Sequence, residues 1–264
     1  MQPDAPPIFS CQGLTVEVAG RTLVERLTMD VARGELIAVL GQNGSGKSLS
    51  LHTLAGLRTA SAGTVKLHGQ DVANEKRQQL AKHLALLPQH VDDIFPATVI
   101  DTALIGRHPH IGLLGWESPE DFEAARSALR AVDLEELSAR DVLTLSGGER
   151  RRLAIAQVLT QAPDLYLLDE PTNHLDPQHQ LDALRIFRQQ ADAGAAVVAS
   201  LHDVNLAVRF ADRCLLLFGD GRWSLGSTEE ILNAERLSQL YSTPMEAVTW
   251  RDRELFVASG DVAL

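Results

Sequence analysis

The sequence predicts an α/β fold with a core of mainly parallel sheet, and three observations carry that prediction. Short apolar runs recur at Leu36–Leu40, Leu165–Leu168 and Ala195–Ser200, each bounded by helical or turn signals, as in parallel strands joined by crossover helices. The first run, beginning at Glu35, ends in Gly41-Gln42-Asn43-Gly44-Ser45-Gly46-Lys47-Ser48, after which Leu51, Leu54, Ala55 and Leu57 recur at helical spacing; strand, glycine loop and helix therefore follow one another. Ahead of it, Leu14–Val18 and Thr28–Val31 alternate apolar with polar residues between Gly13, Gly20 and Gly34, which predicts a small, largely antiparallel β subdomain.

The remaining elements follow from the same periodicities. Phe122–Val132 carries Ala, Leu and Val at helical intervals, and Glu149–Thr160 does so with Leu153, Ala156, Val158 and Leu159, so about residues 90–160 are expected to form an inserted helical subdomain. Cys214–Phe218, the turn Gly219-Asp220-Gly221 and Arg222–Leu225 predict a hairpin, and Ser227-Thr228-Glu229-Glu230 has the spacing of a capping box. A C-terminal extension, about residues 225–264, is expected to be structured at least to Tyr241. With no repeat, low-complexity tract or dividing linker, residues 1–264 are read as one domain.

Composition narrows the function. The 24 Lys and Arg against 35 Asp and Glu give a net charge of −11, which argues against a chain whose main task is gripping nucleic acid. Cys11 and Cys214 are too few and too far apart for a metal framework and are expected to be reduced and packed. The apolar runs fall short of the roughly 18 residues a membrane helix needs. Met1-Gln2-Pro3-Asp4-Ala5-Pro6-Pro7 has neither a basic nor an apolar leader segment, so a cytoplasmic location is expected.

Gly41 to Ser48 fits the phosphate-loop pattern G-x-x-x-x-G-K-[ST]. Glycines let backbone N–H groups turn toward phosphate oxygens at the positive end of the following helix, Lys47 reaches the β/γ-phosphates, and Ser48 is the expected Mg²⁺ ligand. The strand Leu165–Leu168 ends in Asp169-Glu170, at the sheet edge where ligands of open α/β folds gather. There Asp169 is expected to hold Mg²⁺, largely through water, and Glu170 to polarise the attacking water in hydrolysis of ATP or GTP. Leu145-Ser146-Gly147-Gly148-Glu149 places a serine and a glutamate at capping-box spacing and provides a second anion-binding helix start.

With these three motifs in this order, the chain resembles the ATP-binding cassette (ABC) family over roughly residues 8–240. The resemblance implies an ABC ATPase, a phosphate-loop NTPase core with the two subdomains already described. It also implies a head-to-tail homodimer in which Ser146, Gly147 and Gly148 of one copy contact the γ-phosphate of ATP held by Gly41–Ser48 of the other. It assigns Gln89 to the loop that touches Mg²⁺, His202 to the switch that senses the γ-phosphate, and Asp176 to the loop between the two nucleotide sites. Two positions depart from the family pattern. Val18 or Ala19 stands where an aromatic residue usually stacks on adenine, and Leu49 follows Ser48 where a threonine usually lies near the α-phosphate.

The stretch Val91–Arg107, with Phe95-Pro96-Ala97-Thr98-Val99 and then Gly106-Arg107-His108-Pro109-His110, is similar to the subfamily that powers importers of ferric siderophores, haem and vitamin B12. That likeness implies integral membrane permease partners, with a substrate-binding protein, and a peripheral location on the inner face of the cell membrane. An exporter ATPase and a soluble iron–sulfur assembly ATPase are the alternatives. DNA-repair, translation-associated and metabolic-kinase readings fit less well, for want of a long coiled coil, a second cassette, or any use for Leu145–Glu149. Arg150–Arg152 is expected to be a solvated helix face with one or two ion pairs, and the other histidines, including His90, His108, His110 and His179, to be surface or packing residues without ligand spacing.

Overall fold

The computed structural model describes residues 6–90, 96–112, 115–251 and 253–259. Strands β1 (Phe9–Val18) and β2 (Arg21–Val31) pair antiparallel, and β3 (Leu36–Leu40) runs into the glycine loop that opens α1 (Lys47–Leu54). The hairpin of β4 (Ala62–Leu67) and β5 (Gln70–Asp71) follows, then α2 (Arg77–His83), which passes directly into β6 (Leu84–Leu87). Helices α3 (Val99–Leu104), α4 (Pro119–Ala131) and α5 (Gly147–Gln161) come next, followed by β7 (Leu165–Leu168), α6 (Pro177–Asp192), β8 (Ala196–Ser200) and α7 (Val204–Phe210). The chain then forms the antiparallel pair β9 (Arg213–Leu217) and β10 (Trp223–Ser227), helices α8 (Thr228–Ile231) and α9 (Ala234–Tyr241), and a second antiparallel pair, β11 (Met245–Trp250) with β12 (Arg253–Ala258).

The central sheet has the order β10-β9-β3-β8-β7-β6, parallel throughout except for β10 at one edge. Its strands separate two hydrophobic cores, and the two-residue period decides which side chain enters which. Ile37, Val39, Leu165, Leu167, Ala196 and Val198 point toward the antiparallel sheet β2-β1-β4-β5 and α1. Leu36, Ala38, Leu40, Tyr166, Leu168, Val197 and Ala199 point toward the helices on the other face. Burial on both faces explains why these strands read as unbroken apolar runs. Among the described residues no helix is long and apolar enough to cross a membrane.

Three features differ from the sequence reading. The strands β1 and β2 are longer than the alternation at Leu14–Val18 and Thr28–Val31 suggested, because register shifts after Cys11 and Leu14 break the two-residue period within a continuous pair. At Ser227 only half of the capping box forms: its side chain accepts from the Glu230 backbone, and α8 runs for a single turn. Beyond Tyr241 the chain continues as β11 and β12, which dock where Asn205 of α7 exchanges two hydrogen bonds with the Phe256 backbone and the Phe256 ring is buried. Cys11 and Cys214 are free and buried, as expected.

Candidate functional site

The phosphate loop lies at the carboxyl end of β3, the central strand. Gly46 has φ +100°, a conformation that side chains disfavour, and a Cβ on Gly41 would stand 2.5 Å from the Leu217 carbonyl oxygen and from Ser45 Oγ. Glycine at these two positions lets the chain fold tightly over the sheet edge. Lys47 is buried and donates from Nζ to the carbonyls of Gly41 at 2.8 Å and Gln42 at 3.2 Å. Burial pulls its ammonium below the usual lysine range, while the carboxylates of Glu170 and Asp169 oppose that fall.

Parallel pairing of β7 beside β8 brings the acidic pair to the same edge. Ser200, the last residue of β8, accepts from the Glu170 backbone N–H at 2.8 Å and donates from Oγ to Asp169 Oδ1 at 2.7 Å. Asp169 Oδ2 is buried without a hydrogen-bond partner. Glu170 takes a left-handed backbone, φ +50°, and its carboxylate collects three side chains. Gln89 Nε2 donates to Oε2 at 2.9 Å, Asn173 Nδ2 donates to the same oxygen at 3.2 Å, and His202 Nε2 lies 2.6 Å from Oε1.

These groups surround one open cleft of about 600 Å³, lined by Asn43, Gly44, Gly46, Lys47, Ser48 and Leu49 on one side and by Gln89, Glu170, Asn173 and His202 on the other. The structure thus brings together the phosphate loop, Gln89, Glu170 and His202, residues up to 161 positions apart in sequence. Val18, 41% exposed, lines the cleft with Arg21, whose Nη2 donates to the Gly219 carbonyl at 2.8 Å, so an arginine stands beside the position where the family pattern has an aromatic residue. Leu49 lines the cleft and has no hydroxyl to offer it.

Ser146, Gly147, Gly148 and Asp176 do not line this cleft. The capping box is complete at Ser146: its side chain accepts from the Glu149 backbone at 3.3 Å, and the Glu149 carboxylate accepts from the Ser146 N–H at 2.7 Å, fixing the start of α5. Asp176 caps α6 by accepting from the His179 backbone at 2.9 Å.

The solvated face expected at Arg150–Arg152 is corrected at Arg151. It is only 5% exposed, and its guanidinium donates to the carbonyls of Pro88, Gln89, Asp169, Glu170 and Pro171, at distances from 2.6 to 3.4 Å. Burial lowers it to about 10, so it remains a cation at neutral pH, aided by Asp169 and Glu170. Arg152 likewise donates to the carbonyls of Val132 and Asp133. Ser200, Asn173, Arg21 and Arg151 are the residues that sequence reasoning missed. Only the buried-strand ending at Ser200 offered a signal, since a hydroxyl at a strand end beside the acidic pair can bridge to it.

Comparison with known proteins accords with this arrangement. The model of the family described as "ABC transporter" matches residues 24–173. A hemin import ATP-binding protein of Streptomyces coelicolor is 38% identical over 247 residues, 92% of this chain and 88% of that protein. A second hemin import ATP-binding protein, from Gloeobacter violaceus, is 42% identical, covering 81% and 80% of the two chains. A cobalamin import ATP-binding protein of Halobacterium salinarum is 39% identical over 80% of this chain and 52% of its own. Among solved structures, a chain described as a metal-chelate type ABC transporter in an inward-facing conformation aligns with a TM-score of 0.85 at 29% identity, covering 97% and 99%. The ADP conformation of another ATP-binding cassette aligns at 0.77 and 19% identity over 90% and 99%, a likeness of fold. This chain belongs to the ABC transporter family, as one of its ATP-binding, ATP-hydrolysing members.

Proposed function

We propose that the chain is the ATPase subunit of an importer for a haem, cobalamin or ferric-siderophore type of cargo, and that two copies close head to tail around two ATP molecules to drive it. The observation that carries this reading is the Glu170 carboxylate, gathered by Gln89, Asn173 and His202 across the cleft from Lys47. The hemin and cobalamin import relatives and the metal-chelate transporter fold support the choice of cargo class.

In this mechanism the loop Gly41, Gln42, Asn43, Gly44, Ser45, Gly46, Lys47 and Ser48 cradles the phosphates, with Lys47 leaving its carbonyl partners for the β/γ oxygens. Glu170 accepts a proton from the attacking water, and its 2.6 Å contact with His202 gives that proton and the developing γ-phosphate charge a neighbouring imidazole. Asp169 Oδ2, buried and unpartnered, together with Ser48 and Gln89 on the cleft wall, forms an oxygen donor set that fits Mg²⁺. Held by Asp169, Ser48 and Gln89, such an ion would supply positive charge to offset the negative charge that builds up during phosphoryl transfer. Ser146, Gly147 and Gly148, which lie off the chain's own cleft, supply donors to the ATP of the facing copy, and Asp176 lies between the two sites.

ATP then acts as a bridge that favours the closed pair, and its hydrolysis removes the bridge. Integral membrane permease subunits follow that motion, fed by a substrate-binding protein, and they hold the chain peripherally at the inner face of the cell membrane. About residues 90–160 serve as the helical subdomain that meets the permease, and about residues 225–264 as a C-terminal extension of the single domain. Exposed apolar side chains at Ile105 and Trp116 support a docking role for the first of these; Phe95, also expected there, lies outside the described residues.

The test is ATP hydrolysis by the purified chain with and without its permease in lipid vesicles, together with uptake of haem and of cobalamin. Permease-stimulated hydrolysis that drives uptake of one cargo is expected, and Glu170→Gln should lose it. Full turnover by Glu170→Gln, or hydrolysis indifferent to any importer permease, would overturn the reading.

A further inference from the structure

We propose that His68, His83 and Asp164 form a zinc-binding site, remote from the nucleotide cleft, that ties the antiparallel subdomain to the central sheet. His68 Nε2 lies 3.1 Å and His83 Nδ1 2.7 Å from the same oxygen, Asp164 Oδ2, and the three donor atoms all lie within 4.8 Å of one another. Tetrahedral zinc with ligands at about 2.0–2.2 Å sets its donor atoms roughly 3.3–3.5 Å apart. Shifts of less than an ångström in most contacts, within the reach of exposed imidazoles, bring the trio to that spacing. The two rings meet edge to face, with an interplanar angle of 81°, so their nitrogens approach from different directions.

The backbone holds the three donors in place. His83 and Asp164 each immediately precede a strand, and Leu84 pairs with Leu165 in the parallel register, so the sheet itself sets them side by side. The Asp164 N–H donates to the His83 carbonyl at 3.1 Å, and the Ala196 N–H donates to the Asp164 carbonyl at 2.8 Å. His68 follows β4 in a two-residue turn with φ +50° and donates from its backbone to the Ile8 carbonyl at 2.8 Å. Asparagine, aspartate or glycine suits that turn position best, so a histidine there is not explained by the turn.

Arg33 Nη1 sits 3.5 Å from Oδ1, the other carboxylate oxygen, and leaves Oδ2 to the imidazoles. The His68 and His83 side chains are themselves exposed, so an ion and a water as fourth ligand can reach the trio from solvent. Two imidazoles and one carboxylate are the donors that borderline metals such as zinc prefer over magnesium or calcium.

The test uses the purified, chelator-treated, nucleotide-free full chain, titrated with Zn²⁺ and separately with Co²⁺. The site predicts one zinc retained per chain, the strong visible absorption of four-coordinate cobalt, its loss on adding zinc, and a higher melting temperature with zinc. His68→Asn, which suits the turn, and His83→Gln should each weaken binding by at least about tenfold, and His202→Ala should leave it intact. Should a variant fail to fold, ¹⁵N spectra of the wild-type imidazoles decide: zinc should shift two ring systems that are not those of His202. Absence of zinc binding by the wild type, equal binding by folded His68→Asn and His83→Gln, or loss only in His202→Ala would each overturn the site.

Discussion

Replacing Arg151 with methionine keeps much of the side chain's volume but removes every donor, leaving the carbonyls of Pro88, Gln89, Asp169, Glu170 and Pro171 without this partner. A hydrogen bond from a charged donor contributes about 1.5–3 kcal/mol. Their simple sum overstates the effect, because the guanidinium is itself desolvated, as its fall to about 10 records. Breaking a buried charged contact from one side typically destabilises by about 3–5 kcal/mol, and that is the expected loss. At about 2–4 °C per kcal/mol for a domain of this size, the melting midpoint should fall by roughly 10 °C. Arg151 contacts the backbone of both Gln89 and the acidic pair but not the phosphate loop, so a folded Arg151→Lys variant should lose turnover at least about tenfold with a KM for ATP changed less than about threefold. Denaturant titration of Arg151→Met and steady-state kinetics of Arg151→Lys check both halves. A stability loss under about 1 kcal/mol with wild-type turnover would refute the claim that this arginine organises the site.

Ser200→Ala removes the hydroxyl between Asp169 and the Glu170 backbone; leaving that buried N–H unpaired should cost about 1–3 kcal/mol in urea unfolding and lower the turnover number, and an unchanged unfolding midpoint would contradict the bridge. Lys47→Ala should abolish detectable ATP hydrolysis and weaken nucleotide binding in fluorescence titrations, since among the described residues no other lysine lines the cleft. Val18→Tyr adds an aromatic face to the wall beside Arg21, and stacking of about 1–3 kcal/mol predicts at least about fivefold tighter ATP binding by calorimetry; unchanged affinity would sink the stacking argument.

The parts of the fold that could be read from sequence are those in which neighbours along the chain are also the cause. The apolar runs at Leu36–Leu40 and Leu165–Leu168 announce strands buried on two faces, and the loop Gly41–Ser48 announces its ligand because each residue acts within one turn. Gln89 and His202 came from resemblance, and the structure brings both to Glu170. Arg151 was misread because a basic run at the start of a helix looks solvated, whereas its partners lie 18 to 63 residues away. The same reason hides His68, His83 and Asp164, which meet only once β4, β6 and β7 have taken their registers. The strands β11 and β12 escaped because most of their described residues are exposed, while Phe256 is buried and Met245 packs partly against the core.

In the proposed head-to-tail pair, one nucleotide site needs two chains. That requirement is tested most directly by the solution mass of the Glu170→Gln variant with and without MgATP, beside the same variant carrying Ser146→Arg. The expected result is a monomer without nucleotide, a dimer with MgATP, and a monomer throughout when Ser146 is replaced. A Glu170→Gln chain that binds ATP yet stays monomeric at saturation, or a dimer indifferent to Ser146→Arg, would contradict it.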